Sequence, residues 1–472
     1  MLIAVCAGYL LVLMDYSVVN VSLHTIQQRF GAAADGLQWT VNAYEILFGA
    51  LLLPAGFLAD RCGHRRVLIG GLVLFGLASA GMVTSDRIGE VIAWRVLMGV
   101  GGSAIPVTTL AVLQSVPSLA GALRPVSLWA AMPGASFALG PIFGGACAGS
   151  WGWWAPFLVN LPLALVCALV VGRYAADSPR IRAAKLDWPG VLLVISSVGM
   201  LLLAVSRSGA VSWLDLSVAG PVCISAGLAV CLVKVELKHK TPVLDLRLFR
   251  DRLFAAGTAC VALAFFSLAG AIFLVPAYLQ VIRGQAVFEA SLSIVGLACG
   301  SAPGSLLAGR VQRRFGPRIA GMTAMVTLAA GLGGFAAMGS ATSLPSTWLW
   351  FVLAGAGFGM TGAVSTPLTM SSVPLTRVGT ATGTATLTRT VSSALSVALL
   401  GTVCSFDDRA SIAALREFRT ALWITAGTAA AGAFVAASYF PRKGSPWLLS
   451  GSCSPSSSPS WPHGSGAASP PR

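Results

Sequence analysis

Apolar residues run through this chain in long blocks with few interruptions, such as VLLVISSVGMLLLAV (191–205). A strand with one buried face alternates with a period of two. A helix on the surface of a soluble domain carries a polar face every three to four residues. The blocks do neither, and each approaches the roughly 20 apolar residues that cross a bilayer as a helix. They predict fourteen spans, near 2–23, 40–59, 67–84, 89–113, 127–149, 156–174, 188–206, 216–235, 254–280, 289–309, 319–340, 347–370, 380–404 and 420–440. The first block lacks a basic leader and a small-residue cleavage site, which predicts a retained helix. From Gly444 to Arg472 the chain turns rich in Ser, Pro and Gly, which predicts a disordered tail.

Composition narrows this to an all-α polytopic membrane protein. Of 472 residues, 56% are apolar and 10% charged, and the mean hydropathy is +0.81. Too few polar side chains exist to cover a soluble enzyme, and the chain is too apolar to be disordered throughout. The net charge of +15 could suggest nucleic acid, but its placement argues otherwise. Basic residues gather in alternate connections: Arg61, Arg65 and Arg66; Arg180, Arg182 and Lys185; Lys238, Lys240 and Arg247; Arg310, Arg313 and Arg314. The other set of connections holds only Arg29, Arg87, Arg207, Arg283, Arg409, Arg416 and Arg419. This positive-inside bias predicts both termini in the cytoplasm. The preference for Arg over Lys hints at a bacterial source, hence a bacterial inner (plasma) membrane. Ten scattered Cys without a CxxC pair and four dispersed His predict neither a disulfide framework nor a metal site, and no cofactor. The expected partners are the lipid bilayer, a small molecule and protons, with no nucleic acid; a monomer is expected.

A weak internal repeat divides the chain. AGFLADRCGHRR (55–66) follows the second span and SLLAGRVQRRFGPR (305–318) the tenth. Each is a small-residue helix end, an Arg-rich hairpin and a Gly before the next span. The repeat predicts a six-helix bundle over 1–175, a two-helix insertion over 176–252, a second six-helix bundle over 253–440 and the tail over 441–472.

Four charges fall inside predicted spans: Asp15, Glu45, Arg95 and Arg389. Each costs at least about 2.5–3.5 kcal/mol to insert and so needs a reason to be there. At ~1.5 Å per residue, Asp15, Glu45 and Arg95 share a layer roughly 9–14 Å below the Arg-poor surface. With one guanidinium for two acids, one carboxyl can pair. The other holds its charge at a cost that depends on access to water, which is how a proton gradient can be harnessed. A static ion pair joining helices is the alternative. Arg389 lies near the midplane with no carboxylate in the interior of the later spans. Backbone carbonyls, the hydroxyls of Thr386, Thr388 and Thr390, water or an anionic ligand group could meet it.

Small-residue faces add a second signal. Pro141 interrupts a span flanked by Gly140, Gly144 and Gly145, while Gly296, Gly300 and Gly304 line one face of the tenth. Gly permits close backbone approach, the main attraction between helices in lipid. The two faces are expected to close on each other. Tyr44, Phe137, Phe143, Phe265, Phe266, Phe273 and Tyr278 are candidate cavity aromatics. Trp39, Trp151, Trp153 and Trp154 sit at span ends, where interfacial belts form.

The ordered motifs resemble the major facilitator superfamily, in its fourteen-spanner drug:proton antiporter branch. LMDYSVVNVSLHTI (13–26) is similar to that branch's first-helix motif, with His24 where Pro is usual. WTVNAYEILFGALLLPAGFLADRCGHRR (39–66) is similar to its second helix and signature loop, filled by Gly56, Asp60, Arg61, Gly63, Arg65 and Arg66. WRVLMGVGGSAIP (94–106), GASFALGPIFGG (134–145), WGWWAPFLVNLP (151–162), YLQVIRG (278–284) and GTATGTATLTRTVSSALSVALLGTV (379–403) complete the match. The resemblance implies two bundles rocking about a central site to export lipophilic or amphipathic drugs, dyes or antibiotics in exchange for protons. Asp15 would carry the proton with Arg95 as its relay and Glu45 in the same cluster. The loop around Asp60 would lock the cytoplasmic face, and Gly140, Pro141, Gly144 and Gly145 would favour exchange. Asn20, Tyr44, Phe137, Phe266, Tyr278, Gln280 and Arg389 are the expected cavity residues. A narrow exporter of a self-made metabolite and a non-transporting sensor or scaffold are the alternatives. A membrane enzyme would need clusters of nucleophile, base or metal ligands that the isolated His residues do not supply.

Overall fold

The computed structural model describes residues 1–114, 123–175, 188–208, 211, 214–238, 246–338, 344–373, 378–404 and 412–443. The expected disordered segment from Gly444 onward lies outside them, as does the connection 176–187. The described residues form long α-helices and short helical turns. The first group is α1 Leu2–Phe30, α2 Ala34–Cys62, α3 His64–Gly81, α4 Ile88–Gln114, α5 Leu123–Trp151 and α6 Ala155–Tyr174. A pair follows, α7 Trp188–Ser208 and α8 Leu216–Lys238. The last group is α9 Arg252–Ala277, α10 Val287–Phe315, α11 Pro317–Ala337, α12 Leu344–Ser371, α13 Val378–Val403 and α14 Ile412–Tyr439.

Eleven of these helices are long and apolar enough to cross a membrane, or twelve when the bent α2 is counted as one span. α5 and α13 have spanning length, but α13 spreads Thr, Ser and Arg389 along its first half. The bend in α2 is 50°, between Leu52 and Pro54. Proline withdraws an N–H from the helical ladder and crowds the preceding turn, which accounts for the kink.

The architecture is two six-helix bundles with α7 and α8 as an added pair. In the first bundle α1 packs on α5 and α6, α4 on α2 and α3, and α3 on α6. In the second, α10 packs on α12, α11 on α12 and α14, and α9 on α13 and α14. The bundles meet through α5 with α10, α2 with α13 and α1 with α9; α7 leans on both α2 and α13, with α8 outside it. Large apolar side chains such as Leu169, Leu306 and Phe434 point outward, each 73% exposed, as a lipid-facing surface requires.

The internal repeat has a backbone counterpart. Gly63 ends α2 and Gly316 ends α10, with φ of 99° and 89° and with their N–H groups donating to Ala59 and Gln312 at 2.8 and 2.9 Å. That positive φ is open to glycine and strained for other residues, so the same residue recurs where each bundle makes its first tight hairpin on the Arg-rich side.

Two packing expectations are corrected. Gly140 and Gly144 face Ser17 and Val18 of α1, and Gly145 alone of the set meets α10, at Ser291. Gly296, Gly300 and Gly304 face Trp348, Val352 and Ala356 of α12. A small-residue stripe shows that something comes close, but many partner helices satisfy the same packing. Trp153 is no belt residue: it is buried, with its ring 5.1 Å from Phe30.

Candidate transport cavity

A cavity of about 180 Å³ lies between the bundles. Its wall is made by Tyr9, Val12, Leu13 and Tyr16 of α1, by Tyr44, Glu45 and Phe48 of α2, by Ser136 of α5, by Phe265 of α9, and by Arg389, Thr390 and Ser393 of α13. Tyr9, Val12, Leu13 and Tyr16 fall on one helical face because residues three, four and seven apart stack there. Asp15 is thereby turned aside from that face.

Asp15 points at Arg95, which donates Nη1 to its carboxylate. The two residues are 1% and 0% exposed. Arg95 also donates Nε to the Thr40 carbonyl at 2.8 Å and lies 4.4 Å from the Tyr44 ring. Tyr44 in turn donates its hydroxyl to the Val12 carbonyl at 3.0 Å. Charge, hydrogen bonds and a π face together satisfy Arg95, while the second carboxylate oxygen of Asp15 has no partner.

Glu45, one residue beyond Tyr44, is 4% exposed and neither of its oxygens has a hydrogen-bond partner. It extends a stripe on α2 through Gln38 and Asn42, both buried, whose Oε1, and Oδ1 with Nδ2, are likewise without partners. The stripe faces α13: Gln38 lies against Gly401 and Gly49 against Thr390. Buried polar groups are almost always hydrogen-bonded. Five such atoms on one stripe, spanning about 10 Å of helix, form a polar seam from the cavity wall towards the Arg-poor end. The close approaches between bundles at Gln38–Gly401 and Gly145–Ser291 also lie towards that end.

Arg389 lines the cavity from α13, its guanidinium 5.2 Å from the Phe265 ring centroid. Thr388 and Thr390 donate their hydroxyls to the carbonyls of Thr384 and Thr386 at 2.8 and 3.0 Å, not to Arg389. Tyr16 and Ser393 share a hydrogen bond of 3.0 Å across the cavity.

Several expected cavity residues lie elsewhere. Phe266 does not line the cavity; its neighbour Phe265 does. Tyr278 is buried within the second bundle, 5.7 Å from Phe335 and 5.8 Å from Phe418. Gln280 sits in a π-helical turn, Tyr278–Ile282, and donates to the Val21 carbonyl at 3.5 Å. Asn20 donates to the Tyr16 carbonyl at 2.6 Å, folding back on its own helix. The side chain of Phe137 lies outside the described residues. Aromatic or polar character alone does not say which way a helix is rotated. Sequence reasoning missed Tyr9, Tyr16, Phe48 and Ser393; Phe48 and Ser393 were findable from their helical spacing to Glu45 and Arg389, while Tyr9 and Tyr16 had no such anchor.

At the Arg-rich end, Asp60 meets His64 at 3.4 Å and Arg65 donates to the Gly172 carbonyl, tying α3 to the end of α6. Arg61 and Arg66 are exposed, and Gly56 has open space where a side chain would stand. Among the described residues, no group of three or more His, Cys, Asp or Glu side chains could hold a metal ion.

The profile of the Major Facilitator Superfamily matches residues 5–397. Multidrug resistance protein Stp of Mycobacterium tuberculosis is 30% identical over 406 residues, 85% of this chain and 75% of that protein. The tetracenomycin C resistance and export protein of Streptomyces glaucescens is 30% identical over 404 residues, with the same coverage. The methylenomycin A resistance protein of Streptomyces coelicolor is 30% identical over 365 residues, 76% of this chain and 75% of that protein. A crystal structure of a D-xylose–proton symporter superposes with a TM-score of 0.65 at 16% identity, over 93% of this chain and 97% of the other. At that identity the likeness concerns the fold.

Proposed function

The chain belongs to the Major Facilitator Superfamily, whose members are membrane transporters and not enzymes, and from that premise we propose that it is a proton-coupled antiporter. It exports lipophilic or amphipathic small molecules by alternating access between its two bundles. Relatives named for multidrug resistance and for antibiotic export support the cargo class. The observation that carries the coupling is the arrangement of Asp15, Arg95 and Glu45. One buried acid is neutralised by Arg95, and among the described residues the other has no ion pair on the cavity wall. A buried carboxylate without a counter-charge is costly, so Glu45 exchanges a proton with whichever side wets it. The polar seam through Asn42 and Gln38 supplies that contact on the Arg-poor side, taken as the outside of the cell.

In this reading the chain has fourteen spans of the drug:proton antiporter branch, with both termini in the cytoplasm of a bacterial cell. Helices α1–α6 and α9–α14 are the moving bundles, and α7 with α8 is an insertion riding on α2 and α13. The bundles are sealed at the outer end and the cavity serves the cytoplasmic side. Asp60 and Arg65 hold the first hairpin at the cytoplasmic end. Gly140 and Gly144 let α5 slide on α1. The relatives named for a single antibiotic favour one second reading, a narrow exporter of one metabolite.

Uptake of a fluorescent cation into inverted vesicles, with and without an imposed proton gradient, tests the proposal. Gradient-driven uptake that is lost in a folded Glu45→Gln variant is expected. Uptake indifferent to the gradient would leave a facilitator or a scaffold.

A further inference from the structure

Two arginines lie inside the helix bundles, and the fold treats them differently. Arg95 has a carboxylate, a backbone carbonyl and a ring face. Arg389 has a ring face and the Tyr9 side chain near its charge: no hydrogen bond or ion pair links it to any described residue, and its guanidinium stands over Phe265 at 5.2 Å. A π face attracts a cation, yet it leaves the five N–H donors in the guanidinium plane unused. The hydroxyls nearest in sequence donate elsewhere, to Thr384 and Thr386. The nearby acids are no help, because Asp15 is committed to Arg95 and Glu45 makes no ion pair with Arg389. A cation held in a cavity with its donor edge free is a receptor for a planar oxyanion, the partner that guanidinium geometry fits best.

The rest of the wall describes the body of that ligand. Tyr9, Tyr16, Tyr44, Phe48 and Phe265 surround the cavity. Two of these rings are already stacked, Tyr44 on Phe48 at 5.6 Å and 21°, and Tyr9 is braced by Trp129 at 5.0 Å and 13°. Braced aromatic walls favour flat aromatic guests, which bury ring area at little conformational cost. Glu45, on the α2 stripe that faces α13, makes no ion pair with Arg389, and an anion at Arg389 is accommodated while Glu45 is protonated.

We propose that Arg389 is the anchor for an acidic group on the transported molecule, and that the cavity selects planar aromatic compounds bearing a carboxylate or comparable oxyanion. This rests on the export reading for the direction of transport only. The anchoring is a property of binding and is testable alone.

The experiment uses the purified full-length protein in nanodiscs and three fluorescent probes that share one ring system: anthracene carboxylate, its methyl ester and aminomethyl anthracene. Binding of the carboxylate at least about tenfold tighter than of the ester is expected, as for a charge-assisted bidentate pair. Arg389→Gln removes that preference by weakening the carboxylate alone, and Arg389→Lys, which keeps the charge without the fork, retains part of it. Equal binding of acid and ester by the unaltered protein overturns the proposal. So does an Arg389→Gln variant that weakens all three probes alike, which is the signature of a merely structural arginine. If Arg389→Gln does not fold, the Arg389→Lys preference decides. Gradient-driven export of the amine with no acid preference would sink the anchor and leave export standing. An Arg389-dependent acid preference without gradient-driven movement in vesicles would do the reverse.

Discussion

Removing Asp15 leaves Arg95 charged, 0% exposed and without its counter-ion. Breaking a buried pair from one side typically costs about 3–5 kcal/mol, because the surviving charge keeps its desolvation penalty and loses its Coulomb partner. Asp15→Ala should therefore be strongly destabilised. Asp15→Asn keeps an acceptor for the guanidinium and should lose less. The double variant Asp15→Ala, Arg95→Met removes both charges and should recover most of the loss. It forfeits the Arg95 bond to the Thr40 carbonyl, about 0.5–1.5 kcal/mol, and the contact with Tyr44. The assay is a double-mutant cycle on thermal midpoints in one detergent, read beside gradient-driven transport in vesicles. Stability should return in the double variant, which still carries Glu45 as the acid that exchanges the proton, so a loss of melting midpoint and a loss of coupling are read separately. Two results would refute the reasoning. If Asp15→Ala melts like the unaltered protein, Arg95 reaches water and the pair is not a buried one. If the double variant melts no higher than Asp15→Ala, the two residues are not energetically coupled.

Other perturbations address the remaining geometry. Asn42→Leu removes two buried polar atoms that lack partners, so it should raise thermal stability by about 1–3 kcal/mol; by blocking the seam to Glu45 it should also slow gradient-driven transport while leaving probe binding intact, checked by melting, flux and binding on one preparation. Gly300→Ala pushes a methyl onto the Val352 carbonyl of α12 and should cost about 1–3 kcal/mol of stability. Gly227→Ala, on α8 with open space around it, should be neutral or gain about 0.5–1 kcal/mol, so melting of the pair separates packing from helix propensity. Asp251 accepts from the Phe254 N–H at 2.8 Å as the cap of α9, and Asp251→Ala should cost about 1 kcal/mol in the same melting assay.

The helices were legible in the sequence because lipid leaves a chain few options: a long apolar block must satisfy its own backbone, and only a helix does so within one segment. The hairpin glycines at 63 and 316 were legible for a similarly local reason, since each sits where a helix must stop within one residue. Partnership between helices was not legible in this way. Gly140 and Gly300 both announce a close neighbour, yet the neighbours are α1 and α12 and not each other. A Cβ missing from one helix constrains distance, and the identity of the second helix is fixed only by how all the others pack.

The site divides along the same line. Depth along a helix is a one-dimensional quantity, and counting residues placed Asp15, Glu45 and Arg95 in one layer, where the structure finds the first and third in contact. Rotation about the helix axis is the second coordinate, and it decides what an aromatic residue does. Phe265 and Phe266 differ by about 100° of turn; one stands over Arg389 at the cavity and the other is turned off its wall. The stripes that define the cavity are periodic all the same, Tyr9 with Val12 and Tyr16, and Gln38 with Asn42 and Glu45. They become readable once one member is anchored to a known face. An intramembrane charge supplies that anchor, because its cost forbids it from facing lipid. Reading each stripe outward from its charged member recovers the α2 seam from Glu45 and the α13 wall from Arg389. It fails for Tyr9 and Tyr16, because the charge on α1 is spent on Arg95 and marks a different face.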